Sequence, residues 1–381
     1  MVPPTRRLWV RFIAPCVVAA ALVLSAPFIG QIRSALRRAF PGQFVTIVGA
    51  VVAAAVAAAI IVAIVRIRNR RASRYAAIGV ALAIGVAYAF ATRTGRPDVD
   101  VVERVHFVEY GIVTYLFYRA WRGVDDLSRF VLPLLAGVIV GTCEEWFQWF
   151  VPVRVGEVKD VFLNAVAIGC GLLVSYAIDP PSRITRGMPR KSLARIAVLS
   201  AAVLLVFGIF FHVVHLGYDV TDQAIGTFRS RYDESRLLQL SADRALGWRE
   251  DPPLKLVRMS REDQYMTEGV VHVQRRNEAW AAGDVAAAWA ENLILEKYFA
   301  PVLDTPSYVS PSGHRWPAAQ RSDAHARVAA ARRQSYVSEA YPYRLYVWPR
   351  LAYWVVVLTV GALLCGVALR YTRSDAAAAL T

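Results

Sequence analysis

Residues 128–178 read SRFVLPLLAGVIVGTCEEWFQWFVPVRVGEVKDVFLNAVAIGCGLLVSYAI. Two apolar runs, 128–150 and 158–178, are each long enough at ~20 residues to cross about 30 Å of hydrocarbon. Between and within them stand Glu144, Glu145, Gln148, Arg154, Asp160 and Asn164. Ionisable groups at membrane depth are costly, so a cluster of them marks a functional site as well as a membrane fold.

Outward from this pair, further apolar runs occupy about 9–29, 44–65, 75–92, 104–120, 194–215 and 349–369, giving eight expected spans. With 56% of its 381 residues hydrophobic, the chain reads as an all-α polytopic integral membrane protein. Cys16, Cys143, Cys170 and Cys365 all fall in apolar runs without metal-type spacing, which argues against a disulfide framework or structural zinc. The net charge of +15 lies in the membrane flanks: residues 217–347 hold 17 basic and 17 acidic side chains, the rest 27 against 12. Nucleic acid is therefore not an expected partner, and membrane lipids are.

Arginines fix the expected orientation. Arg66, Arg68, Arg70, Arg71 and Arg74 follow span two; Arg119, Arg122 and Arg129 follow span four; Arg183, Arg186, Arg190, Lys191 and Arg195 follow span six. Positive loops stay cytoplasmic, as then do both termini. Arg33, Arg37 and Arg38 among Ile32, Leu36 and Phe40 suggest an interfacial amphipathic segment after span one. The N-terminal run could also be a signal peptide; an uncleaved anchor keeps the even span number. The expected divisions are 1–95 (spans one to three), 96–180 (spans four to six), 181–216 (span seven), 217–347 (one extracytoplasmic domain) and 348–381 (span eight and a cytoplasmic tail).

The 217–347 domain is expected to be mostly helical, α+β. Helices are predicted over 261–276 and 284–299, strands over 254–259 and 343–348, and a loop over 301–317. Trp280, Trp289, Trp316, Tyr341, Tyr343 and Tyr346 suit packing better than sugar stacking. Ser310 and Ser312 lack a nucleophile context, and His272, His314 and His325 lack ligand spacing.

Within the membrane part, His106, Glu109 and Tyr110 share a helical face at i, i+3, i+4. Glu145 pairs with Gln148 at i+3, while Glu144 is expected to diverge from it by about 100° as a solvated neighbour. Arg154 suits a phosphate or carboxylate through its bidentate fork, opposed by carboxylates together with Arg104. Asp160 opens a span with Asn164 one turn deeper; its alternative role is to meet the helix dipole. Carboxyl groups held together can share a proton and serve as acid or base, with Glu145 and Asp160 as candidates and His106 as partner. His106, Glu109, Glu145 and Asp160 offer a nitrogen–oxygen ligand set without a recognisable metal spacing, so neither metal nor cofactor is expected. His212 and His215 read as interfacial anchors.

VERVHFVEYGIVTYLFYRAW (102–121) followed by CEEWFQWFVPVRVGEVKDVFLNAVAIGCG (143–171) resembles the VanZ-like membrane family. The matching positions are His106 and Tyr110, Glu145 and Gln148, Pro152 and Arg154, Asp160 and Asn164, then Gly169 and Gly171; Arg104 stands where Lys is common. The resemblance implies a bacterial inner-membrane protein related to a teicoplanin-resistance accessory factor. It leaves the reaction undefined. The expected function is recognition of an amphipathic envelope ligand, a lipid-linked glycan or peptidoglycan precursor, with residues 217–347 open to an envelope protein partner. A membrane-embedded transferase or hydrolase, or a structural assembly factor, is the alternative.

Overall fold

The computed structural model describes residues 4–151, 154, 156–185, 187–250, 264–307, 309–329, 337–338, 341 and 343–378. The chain forms two units: residues 1–148, 156–210 and 354–381 build one, and residues 149–155 and 211–353 the other.

The first unit contains α1 (Pro4–Ala39), α2 (Phe44–Arg66), α3 (Arg71–Ala91), α4 (Pro97–Glu103), α5 (Val105–Ala120), most of α6 (Ser128–Phe150), α7 (Val158–Ile178) and most of α8 (Arg190–His215). Seven helices among the described residues are long and apolar enough to cross a membrane, counting a final helix that starts at Arg350. The expected count of eight differs at 104–120: α5 has 16 residues, a rise of about 24 Å, because the chain bends at Arg104 between it and α4. The expected interfacial segment after span one is instead the continuation of α1, a single 36-residue helix. Nothing from Gly30 to Ala39 stops it until Pro41 and Gly42, whose φ of +82° ends the turn.

One end of this unit gathers the arginine-rich connections. Buried Arg74 donates to Ala177 O (2.7 Å), Arg66 O (2.9 Å) and Ile178 O (3.2 Å), capping carbonyls that helix ends leave over. Arg70 donates to Pro181 O and Ser182 O. Asp179 accepts from Arg122 (2.8 Å), and Arg129 lies 3.5 Å away over the Tyr118 ring. Asp126 accepts from Ser192 Oγ and Ser128 N, both at 2.7 Å. The ends of α2, α5 and α7 and the starts of α3, α6 and α8 thus converge.

Small residues set the helix spacing. A Cβ at Gly171 of α7 would lie 2.9 Å from Gly111 Cα of α5, and one at Gly141 of α6 would lie 3.0 Å from Asn164 Cβ and 3.4 Å from Tyr110 Cε1. Gly137 meets Ile168 in the same way at 3.0 Å. Gly169, expected to share this role, has nothing within 4 Å of its Cβ direction.

The second unit holds β1 (Leu216–Asp222), β2 (Gly226–Ser230), α9 (Glu234–Glu250), α10 (Gln264–Ala281), α11 (Val285–Tyr298), α12 (Ala300–Leu303), α13 (Ala318–Ala329), β3 (Val337–Ser338) and β4 (Tyr346–Val347); α14 (Arg350–Ala378) returns the chain to the first unit. The sheet order is β3-β2-β1-β4, with β1 and β2 an antiparallel hairpin and both outer pairings parallel. Asp222 accepts from the Ala224 and Ile225 amides to shape the hairpin turn. Phe228, Tyr265, Val270, Ile294, Tyr298 and Phe299 form the core. The two predicted helices correspond to α10 and α11, the latter capped by Asp284 accepting from Ala287 N (3.0 Å). The strand predicted over 343–348 shortens to β4, and the one over 254–259 lies outside the described residues. The segment 301–317 opens on the end of α12 and then runs through turns.

The two glycines of α7 give a controlled test of the packing. Gly171→Ala is expected to destabilise the full chain by about 1–3 kcal/mol, because its methyl meets backbone, whereas Gly169→Ala leaves the detergent melting temperature unchanged or slightly higher. Equal melting temperatures for the two variants would show that the α5–α7 approach is looser than described.

Candidate functional site

Within the first unit α5, α6 and α7 bring most of the predicted site residues together. Tyr110 is wholly buried and its hydroxyl donates to Glu144 Oε2. Gln148, one turn on from Glu144, donates from Nε2 to Glu144 Oε1 (3.1 Å) and to Glu145 Oε1 (3.2 Å). Glu144 is therefore not a solvated neighbour: at 5% exposure it is buried almost as fully as Glu145, because Tyr110 of α5 covers its side of α6 while the Gln148 amide spans both carboxyls.

His106 and Glu109 continue the cluster toward its rim. The His106 ring stacks on Tyr110 with centroids 6.2 Å apart, and its Nδ1 lies 4.0 Å from Glu109 Oε2. Their side chains keep 14% and 27% exposure, against zero for Glu145. The cluster thus grades from the partly exposed His106 and Glu109 to the wholly buried Glu145. Asn164 adjoins the floor, beside Gly141 and Tyr110; both polar atoms of its amide are buried, and neither has a hydrogen-bond partner among the described residues. Leaving such a group unmet costs roughly 1–3 kcal/mol.

The remaining predicted residues are placed differently. Asp160 is half-buried in the first turn of α7, where a carboxylate meets the helix dipole. Arg104 is exposed at the bend between α4 and α5. Arg154 belongs to the second unit, where its amide donates to Val151 O (3.1 Å). Among the described residues no group of three or more His, Cys, Asp and Glu side chains is arranged to hold a metal ion. Residues 78–179 match the VanZ/LLP1 family model.

The VanZ-like segment begins in α3 and ends at Asp179, so the whole polar cluster and the glycine contacts lie inside it, and it is wider than the motif-bearing stretch. It spans just over a quarter of the chain; α1, α2, α8, α14 and residues 211–353 of the second unit fall outside it. No curated protein and no solved structure matches the chain.

The second unit holds a buried titratable cluster that sequence spacing did not reveal. Glu268 and His272 stand one turn apart on α10; His272 Nδ1 lies 2.6 Å from Glu291 Oε2 of α11, and Ser338 Oγ donates to Glu291 Oε1 at 2.6 Å. The i, i+4 pair was visible in the sequence, but Glu291 and Ser338 arrive from distant positions. Burial pushes the Glu268 carboxyl up to about 7, against the pull of His272, Ser230 and the Arg231 amide. The domain's aromatics pack as expected: Trp280 lies against Trp316, Arg276 covers Trp316, and Tyr341 and Tyr343 are buried. His215, expected as an interfacial anchor, is instead buried, and its Nδ1 pairs with Arg344 O at 2.8 Å. Ser310 and Ser312 pair with each other, exposed, at 3.3 Å.

Two outcomes follow. Tyr110→Phe removes the donor to a buried carboxyl and is expected to cost about 1–3 kcal/mol, read as a lower melting temperature in detergent, with Tyr75→Phe as the exposed control. Glu268 has its folded pKa raised from 4.5 to about 7, so its neutral form stabilises the fold fully below pH 4.5 and that contribution is lost as pH rises to about 7. Glu268→Gln should therefore gain stability relative to wild type by about 3 kcal/mol between pH 4.5 and 8. Parallel stability–pH profiles would refute the raised pKa.

Proposed function

We propose that this membrane protein binds an amphipathic cell-envelope ligand, a lipid-linked glycan or peptidoglycan precursor, at the polar cluster of α5, α6 and α7. The observation that carries the reading is Asn164: its buried amide has donor and acceptor capacity unmet among the described residues, in a cluster whose outer members His106 and Glu109 are partly exposed. Sugar hydroxyls and amides are complementary to an amide of that kind. Glu109 and His106 would meet the ligand first, and Gln148, Tyr110 and Glu145 would hold the floor in register. Because the VanZ-like segment is one of a family named for glycopeptide resistance, altered susceptibility to teicoplanin-type antibiotics is the cellular consequence proposed.

The proposed setting is the bacterial inner membrane with both termini cytoplasmic and residues 217–347 outside, where an envelope protein partner could dock. The gathered arginines at one end of the first unit support that orientation, since positive connections remain cytoplasmic. An even number of crossings then requires α5 to cross as well, its short length met by local thinning of the bilayer. The polar cluster, at the opposite ends of α6 and α7, would face outward.

Paired carboxyls bridged by Gln148 favour one second reading, a transferase or hydrolase acting on such a lipid with Glu145 as base. Native mass spectrometry of the full chain, purified in mild detergent from its own membranes, separates the readings. Recognition predicts a co-purifying glycolipid that is lost in a folded Asn164→Leu variant. Glu145→Gln that keeps the lipid but abolishes its turnover supports the enzyme. A bare wild-type protein refutes both.

A further inference from the structure

A second feature of the first unit lies on another face of α5. His106 and Tyr110 face the polar cluster, whereas Phe107, Gly111 and Tyr115, about 100° round the helix, face a cleft of about 650 Å³ between α2, α3, α5 and α7. That volume is in the range of small-molecule sites. Its wall is almost wholly apolar, with small residues on each helix (Ala55 and Ala59 of α2, Ala81 and Gly85 of α3, Gly111 of α5 and Gly171 of α7) set among larger aliphatic and aromatic side chains. Along α3 the lining runs from Ile78 to Arg93, a rise of about 22 Å, so the slot is long and narrow like an extended hydrocarbon chain.

One end of the slot is charged. Arg93, just past α3, and Arg104, at the bend before α5, both line it and both are exposed. Neither guanidinium makes a hydrogen bond or an ion pair within 4 Å among the described residues. The other charges nearby are already engaged: Lys159 pairs with Glu103 at 3.3 Å, Arg37 with Asp98, and Asp100 accepts from Thr94 Oγ1 (2.6 Å) and Thr94 N (3.0 Å). Those bonds from Thr94, with attraction from Arg104 and Arg93, hold the Asp100 carboxyl below the usual range, so one carboxylate faces two guanidinium groups. The mouth keeps an uncompensated positive charge above an apolar slot.

We propose that this cleft is a binding site for an anionic glycerophospholipid, with one acyl chain laid between α2, α3, α5 and α7 and the phosphate held by Arg93 and Arg104. Charge complementarity selects the head group, since guanidinium forks match phosphate oxygens, and the narrow slot selects a single chain. The site is independent of the polar cluster and shares none of His106, Glu144, Glu145 or Asn164.

The test is native mass spectrometry of the delipidated full chain after equilibration with equal palmitoyl-oleoyl phosphatidylglycerol and phosphatidylcholine, and separately with polyprenyl phosphate in competition. One phosphatidylglycerol per chain is expected, favoured over phosphatidylcholine roughly tenfold. The double variant Arg93→Gln/Arg104→Gln alters two exposed side chains and is expected to remove that preference, while Arg93→Lys/Arg104→Lys keeps most of it. Gly85→Phe is expected to remove binding of both lipids. Equal retention of the two lipids by wild type, or an unchanged preference in the glutamine double variant, overturns the proposal, and displacement of phosphatidylglycerol by equimolar polyprenyl phosphate overturns the assigned lipid class.

Discussion

At Gly171 a single added methyl would lie 2.9 Å from the Gly111 backbone, so α5 and α7 approach as closely as two helices can. The polar cluster depends on that contact. Only with α5 seated against α7, and Gly141 of α6 open toward Asn164 and Tyr110, does the Tyr110 hydroxyl reach Glu144. In a bilayer no hydrophobic force draws helices together, because lipid tails are as apolar as leucine. Close packing and side-chain hydrogen bonds must do so, and here the glycines supply the first and the Tyr110–Glu144–Gln148–Glu145 chain the second. The same approach shapes the opposite face: Gly111 and Gly171 are wall residues of the apolar cleft as well.

The two ends of the first unit solve opposite electrostatic problems. At the arginine-rich end Arg74 is met by helix carbonyls, Arg122 and Arg129 by Asp179, and Asp126 accepts from Ser128 and Ser192, which ties six helix ends together. At the other end Glu144 and Glu145 are buried on α6, where Glu144 accepts from the Tyr110 hydroxyl and the Gln148 amide donates to both carboxyls.

Much of this was legible in the sequence, for reasons that also explain the rest. Apolar runs of about eighteen residues or more locate α2, α3, α6, α7 and α8 because length and hydropathy are what a membrane selects. The His106, Glu109 and Tyr110 face was legible because helical spacing is local. Glu144 was misread because helical divergence from Glu145 implies solvent only if no neighbour covers that side, and the cover, Tyr110, comes from thirty-four residues away. Arg104 hid the bend that shortens α5, since a charge flanking a span and a charge at a break look alike. In the second unit β1 and β2 escaped notice: β1 follows directly on α8 with no connecting turn, and its sequence LGYDVTD mixes apolar and acidic residues.

A cluster that merely locks helices would account for Tyr110, Glu144 and Gln148, each of which meets a partner inside the bundle. It does not account for Asn164. A leucine there would pack beside Gly141 and Tyr110 at no polar cost, whereas the amide buries a donor and an acceptor with neither met among the described residues. Hydrogen bonding to a polar group from outside the chain removes that cost, and His106 and Glu109, the outer members of the same cluster, are partly exposed. The energetic burden of Asn164 therefore separates recognition from mere locking more sharply than the carboxyls do, although carboxyls are the residues a search for chemistry notices first.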